Sequence, residues 1–188
     1  MRNGRGGFTL VELAIVLIII GIIMGAVLKG QDLIRGAQGK KLTSLVKSWE
    51  VASFGYYDIY GNYPNELDDI LQSELKNKPD SSINLGGSTF YVKIGSDASN
   101  TLGNVIVLCV TNDCTGTFTS DQLFFAKSVD NSLDGKANGT TGDVLGATGI
   151  TLGNGDIATT TNDAVTDVTG EGTDLNTSIT ALVYYYSY

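Results

Sequence analysis

Histidine is absent from the 188 residues, which removes the commonest general base and the commonest metal ligand from the chain. Two cysteines are too few for a thiolate metal centre without it. Proline is nearly missing, two residues against 24 glycines, so the composition points to many turns rather than a helical bundle. Basic residues are scarce in the C-terminal part: residues 49–188 hold five lysines against eighteen acids, a balance of −13. Such a surface repels phosphate backbones and favours cations and basic partners, which argues against nucleic acid as a partner. A length of 188 residues suits one domain with a real core and leaves little room for two.

Charge is also missing from a long N-terminal run. Phe8 to Leu28 are twenty-one residues with Glu12 as the one charged side chain. As a helix this run is about 31 Å long, enough to cross the hydrocarbon core of a bilayer. Arg2 and Arg5 precede it with no intervening acid, so the positive-inside rule keeps the first residues in the cytoplasm and sends the rest outward. A removed signal peptide is the alternative. Its apolar region is ordinarily shorter and ends in a small-residue cleavage site, whereas here the small pair Gly6-Gly7 lies before the run.

Beyond the span the helical period continues. Leu42, Leu45, Val46, Trp49, Ala52, Ser53, Tyr56, Tyr57 and Tyr60 follow the three-four spacing of one helix face, which predicts a stem packed on a globular head. Gly61-Asn62 and Tyr63-Pro64 stop it. Asn65 is placed to cap a short helix from Glu66 to about Leu75. The period then changes to that of strands: Ile83 to Leu85 and Thr89 to Ile94 around Gly86-Gly87, then Val105 to Val110. Ser120 is placed to cap a second short helix, and Ile179 to Tyr188 read as a closing strand whose tyrosines alternate between core and rim. From residue 135 to 176 two thirds of the residues are Gly, Thr, Asp or Asn, so this stretch reads as loop with short edge strands around Val144 and Ile150.

Gly7-Phe8-Thr9-Leu10-Val11-Glu12-Leu13, after a short basic leader and at the head of a long apolar helix, resembles the processing site of type IV prepilins and type II secretion pseudopilins. The resemblance covers about the first fifty residues. It implies a prepilin peptidase that cuts after Gly7 and methylates the new amine of Phe8. It further implies addition of the subunit to a filament of identical or related pilins by a cytoplasmic ATPase and an inner-membrane platform protein. Glu12 is the residue to explain, because a carboxylate within an apolar span costs a few kcal/mol unless it finds a partner or a proton. The resemblance implies that it neutralises the N-terminal amine of a neighbouring subunit; the alternative is a glutamate near enough to the interface to stay hydrated. Gly21, Gly25 and Gly30 suit either close helix packing in the membrane or local unwinding of the stem, and the proline many major pilins carry there is missing.

Two weaker constellations remain. Cys109 and Cys114 flank four residues at a strand end, where they either close a hairpin as a disulfide in the oxidising space outside the membrane or stay thiols. Asp130, Ser132 and Asp134 before Gly135 open like a calcium loop of the EF-hand type. Thr141 stands where that pattern needs glutamate, so calcium as a cofactor would need a looser cage completed by Asn138 or Asp143.

The expected architecture is α+β and pilin-like, a long N-terminal helix packed on a small antiparallel sheet. Its segments are a leader at 1–7, a membrane or filament-core half of the helix at 8–28, an amphipathic half at 29–60 and a β-rich head at 61–188. The expected work is assembly, from the bacterial inner membrane into a periplasmic or extracellular filament, with the lipid bilayer as first partner. The rivals are a single-pass anchored extracytoplasmic binding domain that does not polymerise, and a hydrolase, for which no recognisable nucleophile and base are arranged.

Overall fold

A computed structural model describes residues 8–96, 104–153, 164–170 and 172–186. Its contacts divide the chain into two units, Met1–Ala37 and Gln38–Tyr188. The first helix, α1 (Leu10–Tyr60), supplies the regular structure of the first unit and the opening element of the second.

Within the first unit α1 is rich in isoleucine and valine, whose branched side chains weaken a helix in water. In lipid the balance reverses, because a helix satisfies every backbone group within the segment. An 18-residue window of α1 has a mean hydropathy of 2.9 and none of it is buried. Beyond the helix's own nearby backbone, no atom of the described residues lies within 4 Å of the position a Cβ would take at Gly21, Gly25 or Gly30, so these glycines leave an open helix surface.

In the second unit α1 buries Gly39, Leu42, Val46, Trp49, Ala52 and Ser53, the stripe that the three-four spacing predicts. Gly39 is needed where it stands: a Cβ there would come within 2.5 Å of the Ser128 hydroxyl, so α1 and the helix carrying Ser128 meet at backbone distance. Lys47 ties the helix to the end of the chain, donating to Glu50 Oε2 at 2.7 Å and to the Tyr184 hydroxyl at 2.8 Å. The stripe fades at Tyr57 and Tyr60, which are 43% and 45% exposed. They stack on Tyr63 and Tyr56, with ring centroids 4.6 and 4.4 Å apart, instead of entering the core. Gly61 ends α1 with a φ of +79° and gives its N–H to the Tyr57 carbonyl at 2.8 Å.

Two short helices follow with caps one residue from where the sequence places them. Helix α2 (Leu67–Gln72) is capped by Glu66, not Asn65, and stops before Leu75. The Asp69 carboxylate accepts the N–H groups of both Asn65 and Glu66, and the Ser73 hydroxyl and N–H close the far end on the Ile70 carbonyl. Helix α3 (Ser120–Leu133) is capped by Thr119, not Ser120, because Gln122 three residues on completes a capping box: its N–H reaches Thr119 Oγ1 while its Oε1 accepts the Thr119 N–H at 2.8 Å. Replacing Thr119 by alanine should lower stability by about 1 kcal/mol, read as a fall of about 2–4 °C in the melting temperature.

Among the described residues seven strands follow: β1 (Ser82–Leu85), β2 (Ser88–Ser96), β3 (Asn104–Cys109), β4 (Val144–Ala147), β5 (Gly149–Gly153), β6 (Ala164–Thr169) and β7 (Ala181–Tyr185). Their order is β4-β7-β3-β2-β6-β5, with β1 on β2. All pairings are antiparallel except β2 with β6, a parallel contact at Ile94 and Ala164. Gly86 and Gly87 turn the β1–β2 hairpin with positive φ at both positions, the geometry of a two-residue turn. The strands β4 and β5 lie at the two ends of the order, and β6, within the 135–176 stretch expected to be mostly loop, adds a further strand.

The sheet is buried on both faces. Phe90, Val92, Ile94, Ile106, Leu108, Leu182 and Tyr184 face the core made with α1, α2 and α3, while Val105, Val107, Cys109, Ala181 and Val183 face a second core with Val165 and Val168 of β6. This two-sided burial explains the unbroken apolar run of β3. At Gly95 a Cβ would collide with Val165, so the missing side chain is what lets β6 pass over β2. The fold is α+β and pilin-like: a long N-terminal helix and a small, largely antiparallel sheet.

Candidate functional site

The helix start is built by two residues of the processing motif. Thr9 is the last residue before α1, and Glu12 lies in its first turn. The Thr9 N–H donates to Glu12 Oε2 at 2.8 Å, the Thr9 hydroxyl donates to the same oxygen at 2.9 Å, and the Glu12 N–H reaches back to Thr9 Oγ1 at 3.3 Å. This is a capping box, in which the side chains at the two ends of a Thr-x-x-Glu run satisfy each other's orphan N–H groups. Glu12 thus has a local partner as well as the intermolecular one implied by the resemblance. A carboxylate carries about four lone-pair sites, so the two bonds to Oε2 leave acceptor capacity for a cation. Thr9 escaped notice in the sequence, although the Thr-x-x-Glu spacing marks it.

Phe8 precedes this cap and is 84% exposed. Gly7, on the other side of the expected cleavage bond, lies outside the described residues.

A disulfide joins Cys109, at the end of β3, to Cys114, with Cα atoms 5.1 Å apart. Both are buried in the second core. The loop between them is a tight turn in which the Cys114 N–H donates to the Thr111 carbonyl at 3.1 Å and the Gly116 N–H to Thr111 Oγ1 at 2.9 Å. Cys114 has a φ of +56°, a left-handed conformation that costs about 1–2 kcal/mol for a side-chain-bearing residue. Its role here is to fix a turn.

The five oxygen-bearing residues of the calcium expectation are not equivalent. Asp130 and Ser132 lie within α3, so the segment does not form an EF-hand loop. Ser132 is exposed and its hydroxyl donates to the Ser128 carbonyl at 2.6 Å. Asn138 turns its Oδ1 to the Thr140 N–H at 3.1 Å. Asp143 is exposed, and its backbone carbonyl accepts the Tyr185 N–H at 2.8 Å. Asp130 is fully buried, and its Oδ2 accepts the Gly139 N–H at 2.9 Å. Burial raises its carboxyl to about 6, opposed by the Gly139 N–H and reinforced by the neighbouring Asp134. No group of three or more Asp, Glu, Cys or His side chains gathers among the described residues.

Residues 2–28 match the family model for the prokaryotic N-terminal methylation motif, the hallmark of the prepilin-type signal in type IV pilins and pseudopilins. Neither a curated protein nor a solved structure matches the chain. That motif opens a long apolar helix, and an α+β head follows it, so the chain carries a prepilin-type signal at the start of a helix long and apolar enough to cross a membrane. The motif implies processing by prepilin peptidase and association with pilin subunits, and motif and apolar helix together are consistent with a membrane anchor.

Proposed function

We propose that the protein is a structural subunit of a type IV pilus or type II secretion pseudopilus, processed between Gly7 and Phe8, methylated on Phe8 and polymerised through its N-terminal helix. The observation that carries this is the match of residues 2–28 to the methylation motif at the start of a helix whose most apolar 18-residue window is unburied among the described residues. Fifteen large apolar side chains between Phe8 and Leu28 are exposed; left bare they would aggregate in water, so they must meet lipid or other helices. Before assembly the helix sits in the inner membrane with the head outside the cytoplasm; afterwards it lies among the helices of its neighbours. The ATPase and platform protein of such systems are the partners that drive the exchange.

Glu12 is the group that sets the register in this scheme. Its carboxylate attracts the amine that cleavage creates at Phe8 of a neighbour, and in a low-dielectric surrounding that pair is held far more tightly than in water. The local Thr9 cap keeps the carboxylate hydrogen-bonded while no neighbour is present.

Mass spectrometry of the mature N-terminus tests the processing. A chain that begins with N-methylated Phe8 is expected. A start beyond residue 28, or an uncut Met1, would overturn the proposal.

A further inference from the structure

An open groove of about 610 Å³ runs between α1 and the segment that follows α2. Ser44, Ser48, Val51 and Gly55 recur along α1 at three-four spacing and form one wall, and residues 75–77 form the other. The surface between them is apolar where Val51, Ala52 and Leu75 meet, and Val51 is 69% exposed. At Gly55 a Cβ would stand 3.3 Å from Leu75 Cδ2, so helix and far wall already touch at one end. The far wall is tied down on both sides: Lys78 Nζ donates to the Leu71 carbonyl at 2.6 Å, and the Trp49 indole N–H holds the Asp80 carbonyl at 3.0 Å. The groove is therefore preformed, which lowers the ordering cost of filling it.

Its rim is basic. Lys47 and Lys76 line it, on a chain whose residues 49–188 hold eighteen acids against five lysines. Two heads of that charge repel over most of their surfaces, and a groove edged by lysines is where one head can admit another. One side chain suits the space. Among the described residues Phe124 is the exposed large apolar side chain outside α1, at 45%. It stands on α3, does not line the groove of its own chain, and has the exposed Asp121 three residues before it on the same helix face. Ring and groove lie on different elements, so a contact between copies is heterologous: each subunit offers its ring to one neighbour and its groove to another. Contacts of that kind propagate as open filaments unless the rotation closes them into a ring.

We propose that the groove between α1 and residues 75–77 seats Phe124 from α3 of a second copy of this chain. The ring covers Val51 and Leu75, and the Asp121 carboxylate comes towards the lysines of the rim. This rests on the filament reading above and adds to it a contact between heads. One ring covers far less than the roughly 1,000 Å² that a free-standing interface needs. The contact therefore forms where the N-terminal helices already hold copies side by side, which raises their effective concentration.

The test places Val51→Cys and Phe124→Cys on separate full-length chains, expressed together with the wild type in cells that carry the filament machinery. The native cysteines are buried in their disulfide and take no part. Mild oxidation of sheared filaments is expected to give a disulfide-linked dimer with one chain of each kind, identified by mass spectrometry of the joined peptides. Either cysteine chain with wild type alone should give none. Phe124→Ala, at a half-exposed position, should keep its level in the membrane and lower filament yield about tenfold, and Phe124→Leu should recover most of it. Filaments that contain both cysteine chains and yield no mixed dimer overturn the proposal and leave the filament reading standing, as does full filament yield with Phe124→Ala. Equal dimers from one cysteine chain alone overturn the heterologous pairing. If the wild type makes no filaments, the filament reading fails and this proposal fails with it.

Discussion

Replacing Glu12 by alanine is expected to leave the protein inserted and processed while sheared surface filaments disappear. Removing one partner of a buried ion pair costs about 3–5 kcal/mol, because the other charge is left uncompensated. Each 1.4 kcal/mol is a factor of about ten, so every subunit addition would weaken by roughly two to three and a half orders of magnitude. The Thr9 cap complicates this result, since alanine also removes the acceptor of the Thr9 N–H and hydroxyl. Glu12→Gln separates the two roles. Glutamine serves as well as glutamate at the third position of a capping box, so the helix start survives, but the charge is gone. If the amine of a neighbour is what Glu12 holds, glutamine assembles as poorly as alanine. If filaments form normally with glutamine, the carboxylate acts only as a cap and the register argument falls.

The stem was legible because one period carries it: Leu42, Val46, Trp49 and Ala52 are spaced for a face and are all buried. The caps of α2 and α3 were displaced by one residue because two neighbouring oxygen-bearing side chains compete at each. At α3 the winner is the one whose third successor can return a hydrogen bond, while at α2 the Asp69 carboxylate accepts the N–H groups of both candidates. Asp69 answers Glu66 and Gln122 answers Thr119, whereas Leu123, three residues after Ser120, has nothing to offer. Strand β6 was hidden for a different reason. Its core is made largely of small side chains from several elements, Ala147, Ala181, Cys109 and Val183 among them, so β6 needs only Val165 and Val168 to join it. The sign of its partner was remote: Gly95, in another strand, vacates the space that Val165 fills. Asp130 was found by the spacing of oxygen side chains, but the helix that carries it runs further than the spacing implies. At the N-terminus the apolar surroundings of Glu12 raised the question of an intermolecular partner and drew attention from Thr9 three residues before it.

Trp49→Ala is expected to be the most damaging single substitution in the head. Trp49 is completely buried in the core that α1 shares with α2, α3 and the sheet, and its indole N–H donates to the Asp80 carbonyl at 3.0 Å. Truncating a buried aromatic to alanine costs about 3–5 kcal/mol through lost transfer energy and the cavity left behind. That is a large share of the roughly 5–15 kcal/mol by which a domain is stable. The melting temperature should fall by about 6–20 °C, followed by far-ultraviolet circular dichroism because the chain has no second tryptophan to report. Trp49→Phe isolates the cause. It keeps most of the ring volume and loses the N–H, and Asp80 is exposed, so water can take over its carbonyl. A loss of about 1–2 kcal/mol with phenylalanine against the larger loss with alanine assigns the effect to packing. Equal losses would instead make the hydrogen bond the principal tie. A fall of less than about 1 kcal/mol with alanine would mean that the second half of α1 rests on the sheet without holding it. The pilin-like arrangement would then be a consequence of the head's own strands and not of the stem.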